Sequence, residues 1–203
     1  MSGIISMFMA KAPITYITNE TSTGSSTFIT FTDPHSSESA GDVILALLGA
    51  VTSSATTWTS IGTERRDQGA KPSLLVSTIT GGIGDPAWNF YTSTSTNKAG
   101  YLVRFRAAQY DTIGTVATIS ADGTLTLPGI TSAGGVVVAF ICAQNACTAS
   151  TPSGFTEIAN ASLGSQRFVI AYKRVDAGAT GAVDSTVTSL SGNTIGGVLI
   201  GLK

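Results

Sequence analysis

Apolar and polar positions along this chain alternate, or run together in short blocks, and no window carries a helical period with caps. One such apolar block is Val-Ile-Leu-Ala-Leu-Leu at 43–48, opened by Gly41-Asp42 and closed by Gly49-Ala50. Periodicity alone does not separate a buried strand from a buried helix in so short a run. A second copy decides it. Residues 133–143 read AGGVVVAFICA against AGDVILALLGA at 40–50, an offset of 93 (133 minus 40). The near-continuous apolar character predicts a strand buried on both faces, or an edge strand covered by something else.

Further strands are predicted at 14–18, 27–32, 58–63, 74–80, 88–92 and 101–106, where β-branched or aromatic residues recur. Residues 19–26 read as a polar turn, 33–39 as a loop, and the charged stretch 64–69 as a solvated hairpin tip. The second pass opens with 115–120 and 124–127, which Asp122-Gly123 predicts to be a hairpin pair. After the second key strand, Phe155 matches Trp58, and 168–174 match 74–80. Residues 187–189 match 91–93, and 198–200 match 102–104, so the offsets run from 93 to 97. A repeat of this period marks internal duplication. The expected fold is all-β: an antiparallel two-sheet sandwich with jelly-roll or Greek-key connections and an internal sequence duplication. Residues 1–13 form an N-terminal arm. Residues 14–203 form a single β-sandwich domain, with repeats at about 14–110 and 111–203.

Composition narrows the role. Only 11% of the 203 residues are charged and the net charge is −1, so no field of either sign draws nucleic acid or an anionic membrane. A neutral, hydroxyl-rich surface repels neighbours weakly and suits an ordered array, though it equally suits a stable domain with no array. The arm is apolar from Ile4 to Ala10, but its positive charge, Lys11, follows the run, contrary to a signal peptide. No stretch approaches the ~20 apolar residues of a membrane span. The expectation is a protein made in the cytoplasm and kept there, or assembled there into a larger particle.

Reactive groups are sparse. The single histidine, His35, sits in a polar loop, and no serine has the G-x-S-x-G context of a nucleophile. Cys142 and Cys147 have no histidine near them in sequence and read as reduced thiols, one of them in the core. Asp33, Glu38 and Asp42 lie close enough to hold a cation with loop carbonyls, but without EF-hand spacing. There is no Walker A or dinucleotide fingerprint. No enzyme activity and no cofactor is expected. Interaction candidates come from what the copies do not share. They are the arm residues Ile4, Ile5, Met7, Phe8 and Met9, and Trp88, which lacks an aromatic counterpart. The last pair of differences is Arg104 and Arg106 against Ile200 and Leu202, read as a cationic face in one copy and an apolar one in the other. The opposite phase, with Ile200 and Leu202 pointing inward, stays open.

The order Ala40-Gly41-Asp42, apolar strand, Trp58-Thr59, apolar strand, then Ala99-Gly100 through Arg106-Ala107 to Tyr110-Asp111 resembles a module of bacteriophage structural proteins. In that module an "AGD…GWT…YR" series builds a jelly-roll-like sandwich. The resemblance covers 40–111 and, more loosely, 133–203. The glycine expected before Trp58 is Thr57 here, while Gly154 does precede Phe155. The resemblance implies a non-enzymatic virion protein, assembled in the host cytoplasm. Most directly it implies a capsid decoration (cement) protein that forms a homo-oligomer and binds a major capsid protein or other virion protein. The alternative is a tail or fibre adhesin whose Trp88 region binds a host surface glycan or receptor.

Overall fold

A computed structural model of the chain describes residues 12–25, 28–31, 42–50, 58–59, 64–68, 73–80, 88–92, 97–144 and 147–203. Among them there is no helix. The first half supplies β1 (Thr15–Gly24), β2 (Phe28–Phe31), β3 (Val43–Ala50) and β4 (Trp58–Thr59). It continues with β5 (Glu64–Gln68), β6 (Ser73–Thr80), β7 (Trp88–Thr92) and β8 (Lys98–Arg106). The second half supplies β9 (Tyr110–Ile113), β10 (Ala117–Ile119), β11 (Gly123–Leu127), β12 (Thr131–Ser132), β13 (Gly135–Gln144) and β14 (Thr148–Ala149). Its last strands are β15 (Thr156–Leu163), β16 (Gln166–Val175), β17 (Gly178–Ala179), β18 (Val183–Thr188) and β19 (Ile195–Leu202).

Every sheet is antiparallel. One large sheet has the order β1-β8-β3-β6-β5, and the other β10-β19-β13-β16-β15 with β9 also on β19. Two three-stranded sheets, β2-β7-β4 and β11-β18-β14, belong to the first and second halves respectively. The pairs are nested: β1·β8, β2·β7 and β3·β6 in the first half; β10·β19, β11·β18, β12·β17 and β13·β16 in the second.

Strand alternation explains the layering, since successive side chains leave opposite faces of a strand. Along β3, Val43, Leu45 and Leu47 enter one core while Ile44, Ala46 and Leu48 enter another. The first of these cores lies between the two large sheets, where the β3 residues with Val103 and Phe105 meet Val138, Phe140, Phe168, Ile170 and Ile200. The second joins β3 to the small sheet through Ile29, Phe31 and Phe90. A third core mirrors it in the second half, with Val137, Ala139 and Ile141 of β13 against Leu125, Leu127, Val183 and Val187. The sheets therefore stack as small, large, large, small, and β3 and β13 are buried on both faces as their apolar runs predict.

The two large sheets come into close contact at Gly49. A Cβ there would collide with the Cys142 Sγ of β13 and stand 3.2 Å from Gln166 Oε1 and 3.5 Å from Phe168 Cζ. Gly49→Ala should therefore overpack the seam and cost about 1–3 kcal/mol. Urea denaturation checks this as a lower midpoint with an unchanged slope. Adding Cys142→Ala should recover most of the loss by restoring the space.

Three local expectations give way to the sheet. Residues 19–24, read as a turn, continue β1, because Asn19 to Gly24 pair with β8 from Val103 back to Lys98. The charged tip at 64–69 contains the edge strand β5, paired with β6 from Glu64–Thr78 to Gln68–Leu74. Charges on an edge strand oppose pairing with another chain. The Asp122-Gly123 hairpin does not form as a pair: β10 joins β19 in the large sheet and β11 joins β18 in the small one. The turn is real, but it carries the chain from one layer to the next. Asp122 spends its carboxylate on the backbone N–H groups of Ser189 and Leu190, at 3.0 and 2.7 Å.

Candidate functional site

The aspartate that opens β3 is consumed inside the fold. Asp42 and Arg104 have side chains 1% and 4% exposed and form a salt bridge. Arg104 Nε donates to Asp42 Oδ2 at 2.7 Å, and its Nη2 donates to the same oxygen. Arg106, half-exposed, donates from Nε to Oδ1 at 3.4 Å. Asp42 thus has guanidinium partners where the sequence allowed a cation site. Asp33 and Glu38, the other proposed ligands, lie outside the described residues, as does His35. Among the described residues no group of three or more His, Cys, Asp or Glu side chains converges on a metal position.

The contrast between Arg104/Arg106 and Ile200/Leu202 needs correction. Arg104 is buried and ion-paired, so the cationic face is reduced to Arg106. Ile200 and Leu202 are fully buried between the large sheets and form no exposed apolar face. The cause is register. Ile44 pairs with Arg104, and Val137, its match at offset 93 (137 minus 44), pairs with Gly201. The residue opposite Arg104 in the second half is thus Gly201, not Ile200. A slip of one position in a strand exchanges its faces, so the sequence comparison set an outer position against an inner one. Trp88 lies in β7 opposite Phe31, and its side chain is outside what the structure describes. The arm residues Ile4, Ile5, Met7, Phe8 and Met9 also lie outside the described residues.

Both thiols are free and buried. Burial pushes Cys142 well above the usual thiol range, reinforced by Cys147. Burial also raises Cys147, with Arg167 pulling the other way. Neither is poised to be the thiolate that nucleophilic or metal chemistry requires.

Among the described residues, openings lie at the seam between the halves. One is a groove of about 330 Å³ lined by residues 12–14, 133–135, Gln109, Arg174 and Lys203. Its two cationic side chains are engaged within the chain. Arg174 Nη2 donates to Ile14 O at 2.6 Å, and Lys203 Nζ lies 3.7 Å from Asp111 Oδ1. Gln109 and Lys203 exchange backbone hydrogen bonds of 2.7 and 2.8 Å.

The other opening is a cleft of about 390 Å³ at the far end of β1, lined by residues 23–25, Asn97, Lys98, Gly164 and Ser165. The β15–β16 turn, Gly164-Ser165, brings the second half against the start of β8. There Gln166 Nε2 donates to Asn97 O at 2.9 Å. Gln166 Oε1 and Ser165 Oγ are buried without a hydrogen-bond partner. An unmade hydrogen bond at a buried atom costs about 1–3 kcal/mol. Lys98 is 2% exposed, and burial lowers the pKa of its ammonium. None of these cleft residues was singled out from sequence. Their only signal is an Asn-Lys before an apolar strand and a Gly-Ser turn about 66 residues later. Searches of family models, curated proteins and solved structures return no match to this chain.

Proposed function

We propose that the chain consists of two jelly rolls from one duplicated module, and that it is a non-enzymatic structural protein of a bacteriophage virion. In this reading it is a capsid decoration (cement) protein that forms a homo-oligomer and binds the major capsid protein lattice. The carrying observation is the nested strand order. A jelly roll is an antiparallel ribbon rolled into two sheets, so its first strand pairs with its last and its second with the one before last. The pairs β1·β8, β2·β7 and β3·β6 follow that rule, and so do β10·β19, β11·β18 and β13·β16. Both halves also depart from it in the same way: β5 and β15 join β6 and β16 in the large sheets rather than extending the small ones. A shared departure favours common origin.

The jelly roll is a recurrent capsid architecture, and the resemblance of 40–111 to phage structural modules points the same way. The near-zero net charge favours close association. An apolar arm suits docking on a neighbour or adding a strand to its sheet. Immunogold labelling of purified virions tests the reading. Label over the capsid is the expected result, label at the tail tip supports the adhesin instead, and unlabelled particles overturn both. Deleting residues 1–12 should release the protein from particles while its far-ultraviolet circular dichroism stays β. Retained binding would remove the arm from the mechanism.

A further inference from the structure

We propose that Tyr16 and Tyr172 form an oxidative cross-linking site, at which a carbon–carbon bond between the two phenol rings joins the first half of the chain covalently to the second. The inference is independent of any virion role. Tyr16 lies in β1 opposite Phe105 of β8, and Tyr172 lies in β16 opposite Val138 of β13. Phe105 and Val138 belong to the core between the large sheets, so both tyrosines leave their sheets on the faces that meet. Their ring centroids are 6.1 Å apart with planes at 32°. Phe105 meets both rings edge-on, at 6.0 and 5.9 Å. Asn19 Nδ2 donates to Tyr16 Oη at 2.7 Å and steadies that ring further.

Both rings are partly buried against this core. They are open enough to give an electron and a proton to an outside oxidant, and held so that each radical forms beside its partner. The oxidant is a peroxide acting through a one-electron catalyst, a haem peroxidase. Each phenol gives up its O–H hydrogen as one electron and one proton. The two phenoxyl radicals couple through a carbon ortho to each oxygen, and the ring hydrogens at those carbons move to the oxygens, restoring both phenols. One hydrogen peroxide takes up the two electrons and two protons and leaves as two waters. The centroid separation is that of rings in contact, and the remaining approach is taken up by rotation about χ2, a broad torsion. The partners are 156 positions apart (172 minus 16). A link across so long a loop restricts the unfolded chain and should raise the melting temperature by about 10 °C.

The test treats the full chain, dilute enough to keep molecules apart, with hydrogen peroxide and a haem peroxidase. Expected are dityrosine fluorescence in the monomer, a proteolytic fragment joining Tyr16 to Tyr172 with the loss of two hydrogen atoms, and a melting temperature above that of Tyr16→Phe treated in parallel. Tyr16→Phe and Tyr172→Phe should each abolish the joined fragment. Both keep the ring and hence the packing, so the loss reports the chemistry and not the fold. Tyr101→Phe, whose ring packs on Phe168 instead, should leave the joined fragment intact. No joined fragment, a product that links only separate chains, persistence of the product in either variant, or an unchanged melting temperature in the cross-linked chain overturns the proposal.

Discussion

Replacing Asp42 with alanine should cost this fold about 3–5 kcal/mol, the loss found when one partner of a buried ion pair is removed. The magnitude follows from where Arg104 sits. Its side chain is 4% exposed and directs Nε and Nη2 at one oxygen of Asp42. Without the carboxylate, a guanidinium charge loses this ion pair while it remains buried in β8, between β1 and β3. Arg106 loses a contact too, but it is half-exposed and water replaces it at little cost. A loss of this size is a large fraction of the roughly 5–15 kcal/mol that separates folded from unfolded domains. The companion variant is Asp42→Ala with Arg104→Met. If the penalty comes from breaking the buried ion pair, the double variant should be much more stable than the single one. A single variant that loses less than about 1 kcal/mol in a urea melt would show that the pair behaves as a surface ion pair.

Phe168→Ala should be comparably severe, at about 3–5 kcal/mol, because it removes an aromatic ring from the core shared by both halves. Phe168 rises from β16 and meets Tyr101 of β8 edge-on, with centroids 5.3 Å apart and planes at 61°. It also stacks on Phe140 of its own sheet, at 6.1 Å and 18°. The first contact crosses between the large sheets, so its loss weakens the adhesion of one half to the other as well as the core. A melting temperature lower by about 10 °C is expected for a chain of this size. Thermal unfolding followed by near-ultraviolet circular dichroism reports it, since Tyr101, Phe140 and Phe168 lose their fixed geometry together. A shift of only a degree or two would mean that the cavity collapses and that the halves adhere mainly through aliphatic contacts.

The parts of the fold legible in the sequence were those whose signal is local and one-dimensional. The runs Val43–Leu48 and Val136–Ile141 are apolar at every position because β3 and β13 are sandwiched between layers, and that burial writes itself directly into composition. Turn chemistry was legible as turns but not as connections. Asp122-Gly123 turns the chain, yet whether the next strand returns to its neighbour or enters another sheet depends on partners at Asp184–Thr186 and Ile195–Gly197, far along the chain. Polar residues 19–24 carry no apolar alternation, so nothing in them announces a strand held by β8. The site was less legible still. Arg104 looked like an exposed cation because its partner lies 62 positions away. The cleft is made by residues 23–25 and 97–98, which the pairing of β1 with β8 brings together, and by 164–165, which reach them through the packing of one large sheet on the other; the three stretches have no common sequence context.

The order in which strands are completed has a consequence for biosynthesis. Every strand of the first half has been synthesised once Arg106 is made, while the second large sheet must wait for β19, which lies between β10 and β13 and is buried at all eight positions. During the interval the nascent chain holds a finished sheet whose inner face, Val43, Leu45, Leu47, Val103 and Phe105, has nothing to cover it. At a translation rate of about 5–20 residues per second the interval lasts on the order of 5–20 s. For that time the growing polypeptide is a client for chaperones, and neighbouring chains on one message present the same sticky surface to each other. Slower decoding of the second half should lower the soluble yield, and a chaperone that shields extended apolar faces should restore it.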